Sequence, residues 1–240
     1  MNDIPIDVFI DLPPSPEPVQ AGRLWSHFRK GRESASFEYN REWLANPYRF
    51  ALEPLLPLAD GTFHTTPGQS VFGAIGDSTP DRWGRILMRR AELARARAAN
   101  ESPRTLSELD YLLRVNDEAR QGALRFSQDG GQSFCAPPGA TPIPPLVNLS
   151  RLLHAADHFC RDDENAEDLR LLLAPGSSLG GARPKASVKD KKGNLCIAKF
   201  PRHDDEYNVV AWEAVALTLA SKAGLQVPRF ELEKIPTRMF

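Results

Sequence analysis

The chain is poor in cysteine, and this limits its chemistry. Its 240 residues include three cysteines, Cys135, Cys160 and Cys196. They are odd in number and widely spaced, and no two form a CxxC pair, which argues against a disulfide framework and against a cysteine zinc site. Unpaired thiols of this kind are typical of a reducing compartment, so we expect a cytoplasmic protein.

Long apolar runs are also missing from the sequence. No apolar stretch approaches the roughly 18 residues that a membrane-spanning helix needs. The first residues, MNDIPIDVFIDLPPSPEP, carry acids where a signal peptide has basic residues and prolines where it has an apolar run. We therefore expect neither a secretory leader nor a membrane partner.

Net charge is almost absent as well. The 30 lysines and arginines are balanced by 31 aspartates and glutamates, which gives a formal charge of -1. Such a chain has no overall attraction to nucleic acid or to anionic lipid, so a partner of either kind would have to be held by a local patch. With 41% hydrophobic and 25% charged residues, the composition is that of an ordinary globular protein with one or two cores.

The first half of the chain predicts a small sheet followed by helices. The segments VFIDL, GRLWSHF and SASFEYN are β-like, and Gly22 and Gly31 are candidate turn positions between them. After Pro80, DRWGRILMRRAELARARAAN has helical spacing, with Asp81 near its N-terminus. A second helix, TLSELDYLLRV, begins with Thr105 and Glu108 as a possible capping box, and NDEARQGALRFS predicts a turn and a strand.

The helix after Pro80 is rich in arginine on one side. These arginines would suit phosphate contacts or an acidic partner. The simpler interpretation is a solvated face with Glu92 as a partial counter-charge. The residues in question are Arg82, Arg85, Arg89, Arg95 and Arg97.

The middle of the chain predicts a boundary between two parts. Residues 128–145 hold glycines and prolines without apolar periodicity, which indicates a linker or an exposed loop. Helical spacing resumes in LVNLSRLLHAADHF and again in AEDLRLLL. His154 and His158 lie four residues apart, as two metal ligands on a helix can, but no HExxH glutamate or third ligand accompanies them, so we predict no metal site.

From Pro175 the sequence changes character. PGSSLGGARPKASVKDKKGNLCIAKFP reads as a flexible loop that leads into a β-hairpin. Gly180 and Gly181 lack a Cβ, so backbone N–H groups there can approach phosphate oxygens closely, and Ser177 and Ser178 add hydroxyl groups. A glycine-rich loop on its own is weak support for a phosphate site, because most such loops are only turns.

A lysine and a glutamate follow this loop in an informative order. Lys199 lies near the end of the second strand, and we expect its side chain to point away from both Ile197 and Phe200. An amine on a strand beneath a glycine-rich loop is the arrangement with which kinases hold nucleotide phosphates. In the next helix, the apolar neighbours of Glu213 in VVAWEAVAL predict a largely buried surface, where a carboxylate must be paired.

Lys199 is the most economical partner for Glu213. The competing interpretation is that Glu213 faces solvent and that Lys199 is an ordinary surface lysine. Gly224 is expected to end the helix, and LQVPRFELEKI is expected to begin another strand.

Several stretches together resemble the HipA-like serine/threonine kinases, the toxin components of bacterial toxin–antitoxin pairs. They occur in the expected order along most of the chain. The stretches are FGAIGDSTPDRWGRILMRR at 72–90, NDEARQGALRF at 116–126, SLGGARPK at 178–185, IAKFP at 197–201 and WEAVALTLASKAGLQVP at 212–228.

The resemblance implies roles for particular residues. Ser178 matches the loop serine that family members autophosphorylate, with Ser177 as a second possible acceptor. The backbone around Gly180, Gly181 and Ala182 matches the phosphate-binding loop for ATP. Lys199 matches the ATP lysine, and Glu213 matches its helix carboxylate. The chain departs from the family pattern at Arg183 and Pro184, where a glutamine and a polar residue are common.

The resemblance also implies cofactors, partners and a fold. ATP and Mg²⁺ are expected, with the Mg²⁺ ligands and the catalytic groups in a C-terminal lobe that the 240 residues lack, so this chain alone is expected to be inactive and to bind nucleotide weakly at best. Expected partners are a helix-turn-helix antitoxin, DNA indirectly through it, and a cytoplasmic protein substrate such as glutamyl-tRNA synthetase. The alternative is a non-catalytic module that binds an antitoxin or another DNA-associated partner.

We therefore predict an α+β fold in two parts. Residues 1–127 are expected to form a small β-rich subdomain with helices, and residues 128–145 a linker or an exposed loop. Residues 146–240 are expected to form a region like a kinase N-lobe, an antiparallel sheet with one packed helix.

Overall fold

A computed structural model describes residues 5–135, 143–176 and 180–235, and its mixture of helices and antiparallel sheets confirms the α+β prediction. Within these ranges seven strands form a five-stranded sheet of order β4-β3-β2-β1-β5 and a separate hairpin, β6-β7. The strands are β1 (Ile6–Ile10), β2 (Val19–Arg29), β3 (Arg32–Tyr39), β4 (Thr62–His64), β5 (Leu124–Ser127), β6 (Lys185–Lys189) and β7 (Leu195–Lys199). The helices are α1 (Arg41–Ala45), α2 (Gly73–Gly76), α3 (Arg82–Ala98), α4 (Glu108–Leu113), α5 (Leu149–Cys160), α6 (Ala166–Gly176) and α7 (Val209–Lys222).

The five-stranded sheet forms where the β-like segments predicted it. Strand β1 lies between β2 and β5, and its side chains are buried along its whole length because it is central in the sheet. Apolar residues of the sheet and of its short helices fill the first core, among them Ile6, Leu24, Phe37, Phe72 and Phe126.

The two glycines that were expected to form turns have different roles. Gly31 lies in the β2–β3 turn with a φ of +74°, a conformation that favours glycine. Gly22 does not form a turn. It lies inside β2, where a Cβ would come within 2.2 Å of the Glu38 carbonyl oxygen, so glycine is required there by the close approach of strand β3.

Helix α3 belongs to the second hydrophobic core, which it shares with the hairpin. Trp83 and Leu87 pack there with Leu152 and Phe159 of α5 and with Leu172 of α6. The inward side chains of the hairpin, Ala186 and Val188, close this core. A helix from the first half of the sequence is therefore packed beside the glycine-rich loop and the hairpin. The predicted domain boundaries stay a prediction.

Two local predictions were wrong. The capping box of α4 is formed by Ser107 and Asp110, two residues later than expected, because the helix begins at Glu108. Glu108 instead binds Arg85 of α3 at 2.6 Å. Residues 225–235 are irregular rather than a strand, and in the described part of the chain no strand edge pairs with them.

The arginine-rich helix is partly neutralised by its own surroundings. Glu92 is 2% exposed and accepts hydrogen bonds from Arg95 at 2.8 Å and from Arg114 at 3.4 Å, with Arg104 3.7 Å away. The hydrogen bond from Arg95 holds the pKa of Glu92 below its ordinary value, although burial acts in the opposite direction. Glu92 is therefore a buried counter-charge that ties α3 to the segment around α4.

Replacing Glu92 by glutamine is expected to lower the free energy of unfolding by about 1–2 kcal/mol at pH 7, because Arg95 and its neighbours lose a charged partner. Since the folded pKa of Glu92 is depressed, its contribution is present above the unfolded pKa of about 4.3 and is lost as the pH falls through the lower folded value. Urea unfolding at pH 7 and at pH 3.5 measures the difference between the two chains at each pH.

Glu231→Gln provides the matched control, because its partner Arg229 is 83% exposed and such pairs contribute less than about 1 kcal/mol. A Glu92→Gln effect of the same size at both pH values would contradict the role of the carboxylate charge.

Candidate functional site

The glycine-rich loop is held in a conformation that favours glycine. Gly181 has a φ of +75°, and a Cβ there would lie 2.9 Å from the Lys185 amine. Its N–H donates to Oδ2 of Asp81 at 2.7 Å, and Ala182 is exposed beside it. Ser177 and Ser178, the predicted phosphate acceptors, lie outside the described residues.

Two lysines share the outer face of the hairpin. Lys185 and Lys199 are register partners in the antiparallel β6–β7 pair, and directly opposed residues in such a pair point to the same side. The Lys185 amine donates to the carbonyl oxygen of Gly180. The hairpin therefore presents two amines next to the loop.

Burial lowers the pKa of Lys185, and the positive charge of Lys199 lowers it further. The carboxylates of Asp81 and Glu213 oppose this shift. The two positively charged amines therefore repel each other, and an anion bound between them would reduce this repulsion.

The expected strand alternation around Lys199 was wrong in one respect. Ile197 precedes Lys199 by two residues and shares its outer face, where it is 51% exposed. Phe200, which is buried, and Ala198 point to the core side instead. The strand period of two residues places Lys199 and Ile197 together.

The structure brings together the predicted lysine and glutamate. The Lys199 amine donates to Oε1 of Glu213, which links strand β7 to helix α7. Both side chains are about half exposed, at 47% and 41%. The ion pair fixes the position of the amine next to the loop while leaving it accessible to a ligand.

The burial argument for Glu213 was wrong, however. Helix α7 has no buried residue, and Trp212, Val215 and Leu219 are exposed on it. None of its residues belongs to a hydrophobic core among the described residues. The pairing of Glu213 therefore reflects its proximity to Lys199 across the β7–α7 connection and not the avoidance of an unpaired buried charge.

Helix α3 supports the loop from the other side. The backbone N–H of Trp83 donates to the Gly181 carbonyl at 2.9 Å, and its indole N–H donates to the Lys185 carbonyl at 2.9 Å. The indole ring is 2% exposed and packs edge-on against Phe159, with ring centres 5.1 Å apart. The sequence predicted a helix here but gave no sign that Trp83 would contact the loop.

The two residues at which the chain departs from the family pattern both stabilise the loop exit. Arg183 forms an ion pair with Asp205, and the hydrogen bond from Arg183 lowers the pKa of that carboxyl group. Pro184 is buried, and its carbonyl accepts the Phe200 N–H at 3.0 Å. These contacts join the loop to the segment that precedes α7.

The histidines of α5 have partners other than a metal. Nδ1 of His158 lies 3.0 Å from Asp168, and Nδ1 of His154 lies 2.6 Å from the Ser150 carbonyl. In residues 5–135, 143–176 and 180–235 no three potential ligands cluster around a metal position. Over the same ranges, no helix combines the length and apolarity needed to cross a bilayer.

The fold and the site thus define an α+β chain in which a glycine-rich loop lies beside two lysines and a helix glutamate. Residues 177–240 match the family model of the HipA-like C-terminal domain. This match confirms the predicted resemblance to the HipA-like family over these residues. The matched range includes the described loop from Gly180, both lysines and Glu213. No curated protein matches the chain.

Proposed function

We propose that this chain contributes the phosphate-binding part of an ATP-dependent HipA-like serine/threonine kinase. The observation that supports this most strongly is the amine of Lys199, which is held by Glu213 and lies opposite Lys185 beside the glycine-rich loop. A lysine that is oriented by a helix carboxylate and covered by a glycine-rich loop is the arrangement that protein kinases use for nucleotide phosphates.

The residues have complementary tasks in this proposal. Lys199 and Lys185 supply positive charge for the phosphate oxygens, and Glu213 keeps the Lys199 side chain in place. Backbone N–H groups at Gly181 and Ala182 are further donors for phosphate oxygens, because Gly181 carries no Cβ that would block the approach, and a phosphate would take the place of Asp81 at the Gly181 N–H. Magnesium bound with ATP would supply further neutralisation of the phosphate charge, and the family resemblance assigns its ligands to another lobe of the kinase.

The wider biological role rests on the family resemblance. It comprises the toxin of a type II toxin–antitoxin pair, a helix-turn-helix antitoxin that contacts DNA, and a cytoplasmic protein substrate such as glutamyl-tRNA synthetase. Autophosphorylation at Ser178 or Ser177 belongs to the same proposal.

A second candidate function is a non-catalytic module that binds an antitoxin or another DNA-associated partner. One observation favours it. Arg82, Arg89 and Arg97 are exposed on α3 and, at spacings of seven and eight residues, lie on one side of the helix. Arg85 and Arg95, by contrast, are engaged by Glu108 and Glu92.

The proposed function predicts that binding depends on phosphate groups. In isothermal titrations of residues 1–240, ATP and ADP are expected to bind at least about tenfold more tightly than adenosine, because the described donors are amines and N–H groups suited to anions. Raising the salt concentration is expected to weaken ATP binding more than adenosine binding. Equal affinity for adenosine and ATP, or the absence of saturable ATP binding up to millimolar concentration, would contradict the proposal.

A further inference from the structure

Asp81 stands at the start of α3 but does not cap that helix. It is the N-cap residue, yet its side chain accepts no hydrogen bond from the first turn of α3. Its Oδ2 instead accepts the N–H of Gly181, a residue 100 positions away in the sequence, at 2.7 Å. A Cβ added to the neighbouring Gly180 would lie 3.6 Å from the same oxygen, so the loop backbone closely approaches this carboxylate.

This contact places a negative charge on a donor of the proposed phosphate loop. An aspartate at an N-cap position usually accepts an N–H of its own helix, so the orientation of Asp81 toward the loop gives up a common local interaction. A carboxylate oxygen that accepts a glycine N–H resembles a phosphate oxygen held by the same donor. In the proposed function, the Gly181 N–H is one of the groups that would hold a nucleotide phosphate.

Two further contacts hold the described part of the loop within the chain. The Lys185 amine donates to the Gly180 carbonyl, and the Gly181 carbonyl accepts the Trp83 N–H at 2.9 Å. The loop is therefore closed on the N-terminus of α3, with the Asp81 carboxylate close enough to interact electrostatically with Lys185. A phosphate that binds here has to displace the Asp81 carboxylate from Gly181.

We propose that Asp81 is a regulatory residue of the loop, whose carboxylate competes with a nucleotide phosphate for the Gly181 N–H and holds the loop against α3 when nucleotide is absent. This inference rests on the proposed function and adds a control element to it. Nucleotide binding releases the loop from α3, and the same contact makes nucleotide binding weaker than the lysines alone would allow. The N-terminal half of the chain is thereby coupled to the phosphate site.

The charge of Asp81 is tested by Asp81→Asn, which keeps the shape and the acceptor oxygen but removes the negative charge. We expect the Kd for ATP to fall about three- to tenfold at low ionic strength, with a smaller gain at high salt, since repulsion between Asp81 and the triphosphate is removed. Asp60→Asn, at an exposed position near strand β4 of the five-stranded sheet, makes the same change in net charge and is expected to leave the Kd unchanged.

The outcomes separate the inference from the proposed function. Suppose that Lys199→Ala weakens ATP binding but Asp81→Asn does not strengthen it. The proposed competition between Asp81 and phosphate is then refuted, while the assignment of the phosphate site stands. If the wild-type chain binds no ATP, both are refuted.

Hydrogen exchange of the Gly181 amide gives a second readout that needs no ligand. Exchange is expected to be slower in the nucleotide-free wild-type chain than in Asp81→Ala, because the carboxylate protects the N–H. Equal exchange rates in the two chains would contradict the proposal that the Asp81 carboxylate holds the loop against α3.

Discussion

The Lys199→Ala chain is expected to bind ATP about 10- to 100-fold more weakly than the wild-type chain, because a charge-assisted hydrogen bond to a phosphate contributes about 1.5–3 kcal/mol. The amine that is lost is accessible, since Lys199 is 47% exposed, and Glu213 holds it beside the loop. Removal of the lysine also leaves the Glu213 carboxylate unpaired near the bound phosphates, which adds repulsion. The Kd for ATP of each chain is measured in an ATP titration that is monitored by calorimetry or by amide chemical shifts.

Lys192→Ala is the matched control for this prediction. Lys192 is an exposed lysine of the same hairpin, located in its turn at the end opposite to Lys199, so its removal changes the net charge equally. Its substitution is expected to change the Kd less than about twofold, as is usual for a remote exposed charge at moderate salt. Glu213→Gln is expected to lie between the control and Lys199→Ala, because it releases the amine without removing it. Equal Kd values for Lys199→Ala and Lys192→Ala would show that Lys199 does not bind phosphate.

Trp83→Ala is expected to destabilise the chain by about 3–5 kcal/mol, the usual cost of removing a large buried aromatic side chain. Trp83 is 2% exposed, packs against Phe159 in the second core, and donates its indole N–H to the Lys185 carbonyl. Because that carbonyl belongs to the first residue of β6, the substitution is also expected to loosen the hairpin that carries both lysines. Chemical denaturation measures the free energy of unfolding.

Two further substitutions divide the Trp83 effect into its parts. Trp83→Phe keeps most of the aromatic packing and is expected to cost about 1–2 kcal/mol, mainly because the partly buried Lys185 carbonyl loses its donor. Leu93→Ala, on the same helix but 41% exposed, is expected to change stability by no more than about 0.5 kcal/mol. If Trp83→Ala were as mild as Leu93→Ala, α3 would not be packed against the hairpin as described.

Local patterns in the sequence predicted most of the secondary structure. The β-like segments around Phe9, Leu24 and Phe37 became neighbouring strands, and the stretch after Pro80 became a helix. These predictions work because periodicity and turn residues act over a few positions. The proximity of Lys199 and Glu213 could also be anticipated, because a short connection joins β7 to α7.

Contacts between distant segments could not be predicted in the same way. The bond between Asp81 and Gly181, and that between Trp83 and Lys185, each span about 100 residues and depend on how α3 packs on the hairpin. The sequence indicates only that such contacts are needed, because a buried tryptophan needs an acceptor for its N–H and an aspartate at a helix start needs a donor. Neither requirement identifies the partner.

The burial of α7 was overestimated for a related reason. The composition of VVAWEAVAL is apolar, but composition does not show whether a neighbouring surface is present to cover the helix. Trp212 is 61% exposed and Leu219 is 60% exposed, so this apolar face has no cover among the described residues. An apolar helix pattern therefore predicts the helix more reliably than it predicts burial.

The central claim, that the loop and its lysine bind nucleotide phosphates, is tested most directly by following backbone amide resonances of residues 1–240 during an ATP titration. Saturable shifts are expected at Gly181, Ala182 and Lys199, whereas Val8 and Phe126 in the five-stranded sheet are expected to stay unchanged. ATP-dependent shifts confined to the five-stranded sheet, or no shift at Gly181 and Lys199 at millimolar ATP, would contradict the phosphate-binding assignment.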